Sequence, residues 1–102
     1  MSEITWLHSA LVARVLEGDG RAPAEIRRAA FDNEGLDEPL GTFVDKVAHR
    51  ANTVTDADIG ALRHAGLSED QIYEIVVCAA IGQATRQYKN ALAALTAATA
   101  GS

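Results

Sequence analysis

The chain has a single cysteine, Cys78, and so cannot close an internal disulfide. One thiol fits a reducing compartment and excludes a stapled secreted scaffold. Positive charge is also scarce: nine Lys and Arg face 14 Asp and Glu, for a net charge of −5. That balance argues against a nucleic-acid binder, which needs a basic face to displace counterions. No apolar run approaches the roughly 20 residues of a membrane span, and no basic-then-apolar leader opens the sequence. A soluble cytoplasmic protein is the expectation. Nothing alternates with period two over more than a few residues, so no strands are expected. Only two prolines occur, Pro23 and Pro39, and beyond Glu69 the one glycine before Gly101 is Gly82.

What is present is helical. With 102 residues, 48% of them hydrophobic, the chain is long enough for one core but not two. The clearest signals run from Thr55 to about Ala98. Thr55 suits an N-cap, with Asp56 and Asp58 at the positive end of the new helix. Val54 and Ile59 stand at the positions of a hydrophobic staple, and Gly66 can end the helix in the left-handed conformation. The pattern then repeats: Ser68 caps, Gln71 completes a capping box, and Leu67 and Ile72 form a second staple.

From Glu69 the sequence predicts one helix of roughly 30 residues, about 45 Å long at 1.5 Å per residue. A domain of this size has a radius of gyration of only about 13 Å, so such a helix spans or overhangs it. Its centre, Ile75 to Gly82, is apolar on every face. A helix of that kind needs cover on every face, and one small subunit cannot supply it. The expected partner is a second copy of the chain. Ala79, Ala80, Gly82 and Ala84 are small enough to let another helix come close.

The earlier chain gives three further helices. The first carries Ile4, Leu7, Leu11 and Val15 on one stripe, with Trp6, Val12 and Leu16 beside it, and stops at Gly18-Asp19-Gly20. Pro23 opens a second, to about Asp32, in which Arg27 and Arg28 face water or a carboxylate across the fold. Pro39 opens a third, to about Asn52, with Leu40, Phe43, Val44, Val47, Ala48 and Ala51 buried and Asp45 placed to meet His49 one turn on. The expected architecture is an all-α bundle of about five helices in one domain. Residues 1–35 form a two-helix segment ahead of a core at 36–98.

Val-Thr-Asp-Ala-Asp at 54–58, Ala-Gly-Leu-Ser at 65–68 and Glu-Ile-Val-Val-Cys-Ala-Ala at 74–80 resemble the AhpD-like, carboxymuconolactone decarboxylase family. The resemblance covers about Leu36 to Leu95. It implies an all-α fold assembled as homotrimers or hexamers. Redox members of that family use Cys-x-x-Cys-x-x-x-His, with the His eight residues before the turn Gly. Counted back from Gly66, those positions hold Ala51, Val54 and Asp58. A vicinal dithiol attacks a peroxide or disulfide and resolves the product internally, and Ala and Val can do neither. Dithiol peroxidase activity is therefore not expected. Ala51 reads as core, Val54 as the staple and Asp58 as a cap partner.

Other chemistry is sparse. Cys78 lies in the apolar run, where its thiol should be unreactive. His8, His49 and His64 fall on three different predicted helices, without metal-ligand spacing, so no metal or cofactor is expected. An enzymatic alternative uses His49, His64, Glu74 or Cys78 in a pocket between the third and fifth helices. Glu74 and Arg86 bracket the apolar run. They are placed to pair at a subunit interface or to line a ligand pocket with Gln83 and Tyr88 beside Gly82. Residues 55–80 also outline a helix-turn-helix, but its second helix opens Glu69-Asp70-Gln71, which phosphates would repel.

Overall fold

The structure is a computed structural model that describes residues 3–18 and 20–100, with the side chains of residues 3–8 and 17 outside the description. Five α-helices follow in order: α1 Glu3–Glu17, α2 Ala24–Asp32, α3 Leu40–Arg50, α4 Asp56–His64 and α5 Glu69–Ala100. One turn of 3-10 helix, Ala51–Thr53, joins α3 to α4. There is no strand among the described residues. The roles expected of Ile4, Trp6, Leu7 and His8 lie outside the described side chains.

The two caps around α4 and α5 form as their sequences dictate. The Thr55 hydroxyl accepts from the Asp58 amide and the Asp58 carboxylate accepts from the Thr55 amide. Ser68 and Gln71 make the same reciprocal pair, at 3.1 and 2.9 Å. Val54, Ile59 and Leu67 pack against the core, and Ile72 lies within it. Gly66 turns the chain with a φ of 105°. A Ser68→Ala variant should lose about 1 kcal/mol in urea denaturation, because two amides at the start of α5 lose a reciprocal arrangement. An unchanged midpoint would mean that the box does not hold this terminus.

α5 is the axis of the bundle. Its inner face carries Ile72, Ile75, Cys78, Ala79, Gly82 and Thr85, all buried. α2 and α3 supply most of the surface against it. From α3 come Phe43, Val44 and Val47; from α2, Ala30; from α4, Leu62. The molecule measures 55 × 28 × 21 Å, with a radius of gyration of 15.5 Å. The long dimension follows from a 32-residue helix, which spans about 48 Å. Beyond Arg86 every residue to Ala100 is exposed except the half-buried Tyr88 and Leu92.

Three expectations about burial change. Leu11 is 47% exposed, and Leu16 is the buried residue among the described side chains of α1. A stripe read from spacing alone has no way to say which edge of α1 the rest of the chain will meet. Ala51 is exposed rather than core, because α3 ends at Arg50 and the tighter 3-10 turn rotates Ala51 off the buried stripe. Arg27 is buried at 7% exposure rather than set in water, and the Glu74 carboxylate of α5 lines the same groove. Arg27 donates to two backbone carbonyls of the α1 terminus, as described below.

Candidate functional site

The polar groups closest to the core converge where the α1–α2 turn meets α5. α1 ends at Glu17, and a helix end leaves carbonyls without partners. Arg27, on α2, reaches back to them: its Nη1 donates to Gly18 O at 2.6 Å and to Val15 O at 3.2 Å. Its Nε has no hydrogen-bond partner. Glu74, on α5, takes the other side of the turn. The Arg21 amide donates to both carboxylate oxygens at 2.8 Å, and the Ala22 amide donates to Oε2 at 2.9 Å. Gln71, one turn earlier on the same face, donates from Nε2 to Arg21 O at 3.2 Å. The turn is thus held through its backbone by one cation and one carboxylate.

Cys78 lies one turn beyond Glu74 and is 1% exposed. Burial pushes its thiol up to about 11; the nearby Arg27 charge pulls it down and the Glu74 charge adds to the rise. At neutral pH it carries roughly a hundredfold less thiolate than an ordinary thiol. The folded protein should therefore react with a disulfide reagent at pH 7.4 at least about a hundredfold more slowly than free cysteine. A rate equal to that of free cysteine would overturn the buried assignment. An open groove of about 230 Å³, lined in part by Leu11, Arg14, Tyr73 and Val77, runs over this position.

The second cluster sits two turns further along α5. Gly82 meets the backbone of Phe31 in α2, so its missing side chain is used inside the subunit. Arg86 donates from Nη1 to Phe31 O at 2.5 Å and from Nη2 to Gln83 Oε1 at 2.9 Å. α2 closes there with Asn33 in the left-handed conformation, its amide and that of Glu34 bonded back to Ala30 O and Ala29 O. Arg86 is thus a C-terminal cap for α2, placed where a cation favours the negative end of a helix. Glu74 and Arg86 each have a partner in the α2 region of their own chain. Tyr88 is half-buried just beyond.

The positions matched to the redox motif hold no joint chemistry. Ala51 is exposed, Val54 packs on the core, and Asp58 caps α4 while bonding Lys46 Nζ at 3.0 Å. The hydrogen bond from the Thr55 amide, and then that from Lys46, hold the Asp58 carboxyl below its ordinary value. A lowered folded value gives stability that is present above the unfolded pKa, near 4, and lost as pH falls through the folded value. Asp58→Asn should therefore show less loss of stability than the native chain between pH 5 and pH 2. Parallel curves over that range would remove Asp58 from the acid response.

The histidines do not assemble a centre. His49 pairs with Asp45 at 3.7 Å on the surface of α3, and His64 is exposed in the last turn of α4. No group of three or more His, Cys, Asp and Glu able to hold a metal occurs among the described residues. No helix among them is long and apolar enough to cross a membrane. The expectations missed Arg27 and the true partner of Glu74. A signal for both was present: a turn with two glycines, Gly18 and Gly20, leaves backbone groups that some side chain must satisfy. No family model, no curated protein and no solved structure matches the chain.

Proposed function

We propose that this chain is a self-assembling helical protein of the AhpD-like type that works without dithiol chemistry, as a structural, assembly or small-ligand-binding subunit. The single observation that supports self-assembly is the outward face of α5. Tyr73, Val77, Ala80, Ala84, Ala91, Ala94 and Ala98 recur at steps of four and three, broken only by Gln87. Tyr73 is 70% exposed, and Leu95 beside the stripe is 61% exposed. The five alanines are exposed and Val77 is half-buried. Such a spacing keeps one seam facing a neighbouring helix, and exposed apolar surface of this extent calls for a partner. Small side chains let two copies of α5 approach closely, so that dispersion contacts accumulate.

The assembly is a homotrimer or hexamer in the cytoplasm, with no nucleic-acid or membrane partner. Gly82 and Ala79 serve the inner face, so the contact between copies uses Ala80 and Ala84. Replacing Ala84 and Ala91 together with Glu should release the monomer, read by light scattering, with the helical circular dichroism kept. A double variant with the mass of the native particle would place the interface elsewhere.

A further inference from the structure

We propose that a second groove, between α1, α2 and α5, binds a small amphipathic monoanion: an apolar body ending in one carboxylate. The groove holds about 350 Å³, within the range of small-molecule sites. Its floor is apolar, with Val12, Leu16 and Phe31. Ser9 and Ala13, one turn apart on α1, form a wall of small side chains, and this keeps the slot open. Two cations enter it from different helices, Arg28 of α2 and Lys89 of α5.

No described residue that lines the groove is acidic, although the chain has 14 Asp and Glu against nine Lys and Arg. The groove thus has the opposite charge to the molecule around it. Arg28 has a partner, Asp32, at 3.4 Å, but both side chains are largely exposed, 63% and 45%. A solvated pair of that kind is weak enough for an incoming carboxylate to displace. Lys89 stands one turn beyond the buried Thr85 on the same face of α5 and lines the groove, so its long side chain can bring the ammonium to a ligand held there. A ligand with its apolar part on Leu16 and Phe31 would bring its carboxylate between the two cations. A neutral or cationic analogue would lose that contact or meet repulsion.

This inference deepens the ligand-binding part of the proposed function and does not rest on assembly, because one chain supplies every wall. The test is an amide NMR titration of the full chain with octanoate, beside octanol and octylammonium. Saturable shifts should appear at Val12, Leu16, Phe31 and Thr85 with octanoate at millimolar concentration. Octanol should bind more weakly and octylammonium not at all. Arg28→Gln with Lys89→Gln should weaken octanoate binding by roughly four- to 25-fold, since each of the two exposed charge contacts contributes a factor of roughly two to five. Ala13→Leu should fill the slot and abolish binding while the fold is kept. Absence of saturable shifts, shifts centred on Tyr73 instead, or equal binding of octylammonium would each overturn the proposal. Particle mass measured in the same samples separates this failure from a failure of self-assembly.

Discussion

A Gly82→Ala variant should melt more than about 10 °C below the native protein. An added Cβ would lie 2.6 Å from the carbonyl carbon of Phe31 and 2.8 Å from its Cα. These atoms belong to the backbone of α2, not to the tip of a side chain that can swing away. α2 would have to move off α5 as a unit. The motion would also pull Phe31 O from Arg86 Nη1, undoing the cap on α2. Alanine is favoured over glycine inside a helix by about 1 kcal/mol, which offsets part of the loss. Overpacking of a tight contact costs about 1–3 kcal/mol and sometimes more, and loss of a charged hydrogen bond adds about 1.5–3 kcal/mol. The net expectation is about 3 kcal/mol, and each kcal/mol shifts the midpoint of a domain this size by roughly 4–8 °C. Thermal denaturation followed by circular dichroism measures it. A variant as stable as the native chain would mean that α2 and α5 are further apart than described.

Replacing Glu74 with Ala should cost about 2–4 kcal/mol in urea denaturation. The carboxylate accepts from two backbone amides at 2.8–2.9 Å. Arg21 is exposed, so water can take over its amide, but Ala22 is 3% exposed and its N–H would be left without a partner. An unsatisfied buried donor costs about 1–3 kcal/mol, and bonds to a charged acceptor contribute more than neutral ones. Glu74→Gln keeps one acceptor oxygen and should fall between the two. Because the turn covers the region of Cys78, the Ala variant should also raise the rate at which that thiol is modified. If Glu74→Ala left both stability and thiol reactivity unchanged, the carboxylate would not be what holds the α1–α2 turn.

Helix starts and stops were legible because they are local. Thr55 with Asp58, and Ser68 with Gln71, satisfy amides three residues away, and Gly66 needs only its own φ. The inward face of α5 was not legible, because Ile75 to Gly82 is apolar all round and carries no pattern to orient it. Gly82 read as an interface residue for the same reason: a small residue permits close approach without naming the neighbour. That neighbour is Phe31, 51 positions away, and only the packing of α2 identifies it. Arg27 is the instructive miss. The glycines at 18 and 20 signal backbone groups in need of a partner, but that Arg27 is the side chain that reaches them depends on where α1 ends in space. The outer seam of Ala80, Ala84 and Ala91 became separable only once the inner face was known.

The mass of the native particle, by native mass spectrometry or light scattering on the purified full chain, tests self-assembly most directly. A single trimeric or hexameric species is expected, and it should revert to monomer when Ala84 and Ala91 are charged. A stable monomer at micromolar concentration would contradict the proposal. It would leave the outer face of α5 in water and remove the reason for reading this chain as an assembling subunit.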